Sequence, residues 1–319
     1  MVSSEEKSQH KKIISWIVPC FNEEEVIDET FERISRVCDS IERYKWEIIF
    51  IDDGSKDFTF KKIQSLLQKR DGLTYIGLSR NYGHQIAVQA GLNNAIGDSA
   101  IIIDADLQDP PELANELLQK WENGFDVVYG QRIDRESESF FKKSTAKLFY
   151  RLINILSDIN IPLDVGDFRL IDRKVIKAIH EMPEKERFLR GMISWVGFNQ
   201  TYIKYIRQKR YAGKSKYPLQ KMITFAVNGI TSFSRKPLKI SIYLGLISSL
   251  ISILGILYVL YIRFMTSNWV TGWAGLALAI LFSSGIQLLS IGILGEYIGK
   301  IYIESKNRPL YFIKRSLKS

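Results

Sequence analysis

The sequence predicts a mostly parallel, doubly wound α/β domain followed by two membrane-spanning helices. Three observations predict this. Short apolar runs alternate with segments of helical period over residues 13–133; the runs stop abruptly at polar or acidic clusters; and two stretches of 23 and 32 residues, Ile240 to Ile262 and Phe264 to Gly295, carry no charge.

Ile13 to Val18 is the first run, closed by Pro19, and Phe21-Asn-Glu-Glu-Glu25 then opens a helix with acidic residues in its first turn. Ile27, Phe31, Ile34, Cys38 and Ile41 recur at steps of four and three. They form one buried face, which makes Cys38 a packing residue. Trp46 to Ile51 is the second strand, followed by Asp52-Asp-Gly-Ser-Lys-Asp57 and a helix carrying Ile63, Leu66 and Leu67. Leu73 to Leu78 is the third, ending in Ser79-Arg-Asn-Tyr-Gly83 before a helix from about His84 to Ala95. Ser99 to Ile103 is the fourth and runs into Asp104-Ala-Asp-Leu-Gln-Asp-Pro-Pro111; Asp126 to Tyr129 is a fifth, ending in Gly130-Gln-Arg-Ile133.

Regular alternation of this kind implies a sheet covered on both faces. The strand-end clusters, Asn22 and Glu23, Asp52 and Asp53, Arg80, and Asp104 and Asp106, then converge on one sheet edge, the edge at which open parallel sheets bind ligands. Asp104 and Asp106, at i and i+2, leave the strand on one side, so both reach a single hard divalent cation through oxygen. The alternative is an acidic turn in which Asp106 or Asp109 caps the helix begun by Pro110 and Pro111.

A 23-residue helix is about 35 Å long against a hydrocarbon core of about 30 Å, so the first charge-free stretch spans a bilayer; the second is longer than one span needs and takes in part of the connection. Arg235, Lys236 and Lys239 precede the first span, and Lys300, Lys306, Arg308, Lys314, Arg315 and Lys318 follow the second. The link carries only Arg263, so the positive-inside rule places both termini, and with them the first 237 or so residues, in the cytoplasm. Met1 to Lys12 is polar and contains no apolar targeting core. Two cysteines argue against a disulfide scaffold. The formal charge of +9 is explained by the membrane surface and not by nucleic acid, since much of the basic excess flanks the spans. Their Gly and Ser residues permit a homo-oligomer. The chain thus divides into a cytosolic catalytic domain (1–216), an amphipathic juxtamembrane helix (217–237), two spans within 238–295 (about 240–262 and 270–294) and a basic cytosolic tail (296–319).

The order Val18-Pro-Cys-Phe-Asn-Glu23, Ile51-Asp-Asp-Gly-Ser55, Leu78-Ser-Arg-Asn81, Asp104-Ala-Asp-Leu-Gln-Asp-Pro110 resembles the inverting family 2 glycosyltransferases of GT-A fold. Within them it resembles the polyisoprenyl-phosphate glycosyltransferases, a group containing dolichol-phosphate mannose synthases and bacterial undecaprenyl-phosphate glucosyltransferases. The resemblance covers the chain to about Tyr217, and the two spans look like the bacterial two-span subgroup. It implies a GT-A sheet domain, an interfacial helix and a transmembrane hairpin in the inner (plasma) membrane. It further implies that Pro19, Glu23 and Asp53, with Arg80 and Asp104 nearby, hold a nucleotide sugar; that Asp104, Asp106 and Gln108 hold Mg2+ or Mn2+; and that Asp106 and Asp167 are catalytic. Asp167 stands in Val165-Gly-Asp-Phe-Arg169, where the residues alone also allow a loop carboxylate capping Gly166 to Ile171.

A bound divalent ion neutralises a nucleotide diphosphate as it leaves, and a lipid phosphate, whose second pKa is about 6, attacks without a general base. Asp167 is therefore expected to orient the sugar or steady positive charge rather than abstract a proton. The acceptor phosphate needs cations. Arg132 and Arg135 follow the fifth strand, Lys142, Lys143, Lys147 and Arg151 stud a helix, and Arg210-Tyr-Ala-Gly-Lys-Ser-Lys-Tyr217 resembles the family's Arg-X-X-Gly-X-Ser-Lys-Tyr segment. Arg132, Arg210, Lys214, Ser215 and Lys216 are the expected phosphate ligands. Leu219, Met222, Ile223, Ala226, Ile230 and Phe233 recur at helical spacing, a helix that lies in the membrane interface or packs under the catalytic domain.

The expected reaction is transfer of a hexose, first of all glucose from UDP-glucose, to undecaprenyl phosphate, a polyprenyl phosphate lipid acceptor. GDP-mannose, UDP-galactose and UDP-aminoarabinose are the other donors the motifs allow. A processive polysaccharide synthase is disfavoured, because the chain has no Gln-X-X-Arg-Trp motif and only two spans. A membrane-anchored nucleotide-binding scaffold is the non-enzyme alternative.

Overall fold

The computed structural model describes residues 11–133, 165–208, 231, 234, 236–265 and 272–319. The chain divides into two compact units, a sheet domain and a pair of long helices, and the sheet domain takes back Pro309–Ser319 after the helices.

The sheet domain follows the order β1 (Ile13–Cys20), α1 (Ile27–Ser40), β2 (Lys45–Asp52), α2 (Thr59–Leu66), β3 (Leu73–Leu78), α3 (His84–Asn94) and β4 (Ser99–Ile102). A 3-10 turn (Pro111–Leu113), α4 (Ala114–Glu122) and β5 (Val127–Arg132) come next. The domain then runs through β6 (Val165–Asp172), α5 (Arg173–Glu181), α6 (Leu189–Trp195) and β7 (Gln200–Tyr205), and closes with β8 (Ile313–Lys318). The eight strands are ordered β7-β5-β6-β4-β1-β2-β3-β8. β1 is central, paired in parallel with β2 on one side and β4 on the other. Its residues are buried along nearly their whole length, as the unbroken apolar run requires of a strand covered on both faces. The chain winds outward through β2 and β3 and then returns to β4, so the order reverses between β1 and β4, the position at which open α/β sheets bind ligands.

Packing holds the helices more than capping does. α1 has no side-chain cap, yet it buries Ile27, Phe31, Ile34, Val37 and Cys38. Each such burial is worth about 1.5–3 kcal/mol, against about 1 kcal/mol for a cap. The acidic residues of its first turn are Asp28 and Glu29, a few positions later than the sequence suggests, because Glu23 to Val26 form a turn whose Glu23 carbonyl accepts from Val26 and Ile27. α3 approaches β1 and β2 through Gly91, where a Cβ would lie 2.5 Å from Ile17 Cγ2 and 2.7 Å from Ile51 Cδ1.

Two features depart from the sequence reading. Val165 to Asp172 is a strand, not a capped loop: β6 lies antiparallel between β4 and β5. The helix cap in this stretch is Asp172, whose carboxylate accepts the Lys174 N–H at 2.9 Å. The C-terminal segment is likewise not a free basic tail, since β8 pairs antiparallel with β3. Its alternation explains how so basic a segment joins a sheet. Leu317 packs on the core and Arg315 lies 4.5 Å over the Phe60 ring, while Lys314 and Lys318 stay in solvent, as suits an edge strand.

The second unit contains α7 (Lys236–Met265) and α8 (Trp273–Ser305), exposed and apolar along their length. Lys236–Ile262 and Ala279–Ser305 are each long and apolar enough to cross a membrane, with mean hydropathy 2.3 and 1.5. α8 runs past the expected limit near Leu294, because Glu296, Lys300 and Glu304 continue the helix without a breaker. Within this unit Tyr297 donates its hydroxyl to the Ser234 carbonyl at 2.6 Å.

Candidate active site

The expected residues that the structure describes gather on one sheet edge. β1, β2, β3 and β4 end there, and because β6 is antiparallel to β4 its amino end, bearing Asp167, comes to the same edge. β5 and β7 run antiparallel to β6, so Arg132 and Tyr205 arrive there too. Arg135, the Lys142 to Arg151 segment, Arg210, Lys214, Ser215 and Lys216 lie outside the described residues, as does most of the expected 217–237 helix.

At the β1 and β2 ends, backbone and side chains knit two loops together. Asn22, at φ 53°, accepts the Lys56 N–H through its side chain and donates its own N–H to Ser55 Oγ, while Glu23 donates its N–H to Thr59 Oγ1. Pro19 is buried within β1, opposite Ile51. Asp53 accepts the N–H groups of Tyr82 and Gly83 at 2.7 and 2.9 Å, so its carboxylate anchors the turn that begins α3. Gly54 makes room for that turn: its φ is +73°, and a Cβ there would lie 2.6 Å from the Arg80 carbonyl carbon. Arg80 itself is exposed, its guanidinium 4.0 Å over the Tyr82 ring.

The turn after β4 is bent by buried Leu107, a non-glycine residue at φ 57°, and Asp106 accepts the Gln108 N–H across it at 3.2 Å. Neither Asp106 nor Asp109 caps the following helix, which has no side-chain cap. Asp104 Oδ1 is enclosed and accepts no hydrogen bond among the described residues. Burial, aided by Asp167, Asp106 and Asp109 and opposed by His84, pushes the Asp104 carboxyl up to about 6.

Asp167 faces cations from two other elements, α6 and α3. Arg190 on α6 grips it bidentately, Nε to Oδ1 at 2.9 Å and Nη2 to Oδ2 at 3.1 Å. His84 Nε2 lies 3.1 Å from Asp167 Oδ2 and 3.5 Å from Asp104 Oδ1, between the two carboxylates. Gln85 accepts the Leu189 N–H at 3.1 Å, fastening the start of α3 to the start of α6. Burial works against the charge on Asp167, but Arg190 and His84 outweigh it and hold the carboxyl well below the usual range. Burial also opposes the charge on His84, yet Asp104 and then Asp167 push it up to about 9.

Beside this group, Arg132 packs so closely on Gly166 that a Cβ there would lie 2.4 Å from Arg132 Nη2. Sequence reasoning missed His84, Arg190, Asp109, Tyr205 and Arg207 as members of the site. His84 carried a usable signal, as one of three histidines and the residue that follows a strand-end turn; Arg190 carried none.

The arrangement brings Asp104 and Asp167, with His84 between them, to one edge of the sheet. Residues 15–179 match the family described as glycosyl transferase family 2, and residues 236–301 match the GtrB C-terminal hairpin. The chain is 48% identical to the glycosyltransferase YkcC of Bacillus subtilis over 304 residues, 95% of this chain and 93% of that one. It is 44% identical to the SfII prophage-derived bactoprenol glucosyl transferase of Shigella flexneri over 303 residues, 95% of this chain and 98% of that one. A solved structure of glucosyl-3-phosphoglycerate synthase from Mycobacterium tuberculosis in complex with Mn2+, uridine-diphosphate and phosphoglyceric acid overlaps with a TM-score of 0.48 at 16% identity, covering 69% of this chain and 76% of that one. With its sheet-edge motifs in order and its paired apolar helices behind them, the chain belongs to glycosyl transferase family 2 and ends in a hairpin of the GtrB type.

Proposed function

We propose that the protein transfers glucose from UDP-glucose to undecaprenyl phosphate at the cytoplasmic face of the plasma membrane, by a single metal-dependent displacement that inverts the anomeric carbon. The observation that carries this reading is the 44% identity, over almost the whole of both chains, to a bactoprenol glucosyl transferase. The paired apolar helices support a membrane anchor, and the basic residues flanking them support termini on the cytoplasmic side.

Among the described residues no group of three or more His, Cys, Asp and Glu side chains is disposed to hold a metal by itself. That suits Mg2+ or Mn2+, which bind through one or two carboxylates and take the rest of their oxygens from substrate phosphates and water. The enclosed Asp104 Oδ1, which has His84 Nε2 3.5 Å away but accepts no hydrogen bond among the described residues, is an oxygen such an ion would satisfy. Asp104 and Asp106, with Gln108 as the third expected group, would hold it. The ion supplies charge neutralisation for the departing diphosphate.

The chain's own residues do the remainder. Pro19, Glu23 and the turn pinned by Asp53 shape the side of the crevice that takes the nucleotide, with Arg80 at its rim. Asp167, kept ionised by Arg190 and His84, is a poor proton acceptor at neutral pH and a good stabiliser of positive charge at the sugar carbon. Proton abstraction is not needed, since the lipid phosphate is already an oxyanion. Arg132 meets that phosphate, and Arg210, Lys214, Ser215 and Lys216 complete its cradle.

The test is transfer of labelled sugar from UDP-glucose into the organic-soluble fraction of membranes supplied with undecaprenyl phosphate. We expect transfer that EDTA abolishes and Mg2+ or Mn2+ restores, and a fall of about 100-fold or more in Asp104→Asn. Full activity in Asp104→Asn would refute the mechanism. Label entering from GDP-mannose, UDP-galactose or UDP-aminoarabinose instead would refute the donor.

A further inference from the structure

Asp109, three residues beyond Asp106, is fully buried, and the hydroxyl of Tyr205 at the end of β7 donates to its Oδ1. Two arginines flank the same oxygen without hydrogen-bonding to it: Arg132 Nη2 at 3.6 Å and Arg207 Nε at 3.8 Å. Asp109 Oδ2 and Arg207 Nε are both enclosed and have no hydrogen-bond partner among the described residues. One carboxylate therefore stands between two guanidiniums, and neither hydrogen-bonds to it. Burial and Asp109 push the Tyr205 hydroxyl up, so it stays protonated and keeps hold of the oxygen that an arginine fork would otherwise take. It also accepts from Arg132 Nε at 3.3 Å, which leaves the outer nitrogens of that fork unspent on it.

Arg207 is tied to the metal-motif turn by its neighbour. Gln208 donates its N–H to the Gln108 carbonyl at 2.9 Å, and Gln108 Nε2 returns a bond to the Gln208 carbonyl at 3.4 Å. The sheet order separates two candidate anions. The loops of β1, β2 and β3 lie on one side of β4, whereas β5 and β7, which bring Arg132 and Arg207, lie on the other beyond β6.

We infer that Arg207 acts with Arg132 as a phosphate-binding pair, braced apart on Asp109 and Tyr205, and that the phosphate is the lipid acceptor's rather than the donor's diphosphate. This rests on the reading that the acceptor is a polyprenyl phosphate. Asp109 and Tyr205 are positioning residues: they set the spacing of the two forks and do not touch the ligand.

The test uses the full-length protein in detergent, with two separate binding measurements, one of a short-chain polyprenyl phosphate without donor and one of UDP-glucose without acceptor. Arg207→Gln is expected to weaken lipid-phosphate binding about 10-fold, the loss of one charge-assisted contact, while UDP-glucose affinity stays within about twofold. Arg207→Lys should recover part of the loss, and Tyr205→Phe, which frees Arg132 to close on Asp109, should weaken the lipid phosphate in the same direction. Unchanged lipid-phosphate affinity in Arg207→Gln overturns the inference. So does a loss confined to UDP-glucose, which would put the pair on the donor's diphosphate. Wild-type protein that binds the lipid phosphate but transfers no glucose refutes the donor assignment, and the Arg207→Gln comparison still decides this one.

Discussion

Asp167 is defined by its partners more than by its own chemistry. A carboxylate gripped by Arg190 and touched by His84 cannot be replaced by an amide without stranding buried positive charge, so Asp167→Asn should destabilise the domain by about 3 kcal/mol as well as impair transfer. The pH dependence follows from the sign of the shift. The folded carboxyl lies below its unfolded value of about 3.9, so the stabilisation is complete above that value and is lost as pH falls through the folded one. The difference in Tm between wild type and Asp167→Asn should therefore be constant from about pH 5 to pH 6, shrink below about pH 4, and shrink again above about pH 6.5 as His84, which Asp167 helps keep protonated, loses its proton on the way to pH 9. A second residue-scale expectation concerns Gly54. An added methyl would meet the Arg80 backbone in a left-handed conformation that costs of order 1–3 kcal/mol, so Gly54→Ala should lower Tm and raise KM for the nucleotide sugar by displacing the Ser79 to Gly83 turn.

Elements place these residues, and β6 and β8 do so in ways their own residues scarcely announce. Val165 to Asp172 is interrupted by Asp167 and Arg169, and only insertion between β4 and β5 makes it a strand. β8 is basic at three of its six positions, a composition that reads as solvated tail until β3 supplies the ladder and Phe60 the partner for Arg315. Because β3 leads directly into the turn held by Asp53, β8 steadies that turn from the outer side; Ser79 donates its N–H to the Phe312 carbonyl at 2.9 Å. Deleting residues 311–319 should lower Tm and leave β3 as an unprotected edge, increasing aggregation in light-scattering measurements. Loss of the segment with Tm unchanged would show that β8 contributes nothing to the fold.

At the scale of the molecule, α7 and α8 are long and apolar enough to hold the proposed transferase at the membrane that carries its lipid acceptor. A cysteine introduced at Ser267, in the link between the helices, should react in intact cells with a membrane-impermeant maleimide, whereas one at Ser319 should react only after permeabilisation. The two native cysteines, Cys20 and Cys38, are buried, and burial pushes the Cys38 thiol up to about 12, so background labelling should be low. Equal labelling at both positions in intact cells would refute the proposed orientation. Both helices continue past the expected limits, the first to Met265 and the second to Ser305, because charge counting finds where a lipid-compatible stretch stops and not where the helix itself stops.

The sequence by itself determined the alternating α/β unit through β5, the paired apolar helices and the motifs at the strand ends. Apolar period, charge-free length and abrupt acidic stops are local properties, readable within a window of a few residues. Only the tertiary structure decided that Asp53 holds a backbone turn, that Asp167 is locked between Arg190 and His84, and that Asp109 keeps two arginines apart. Those partners lie 23 or more positions distant along the chain, and their charges act on one another only once the sheet has brought them within hydrogen-bonding or ion-pairing distance, out of the water that would screen them.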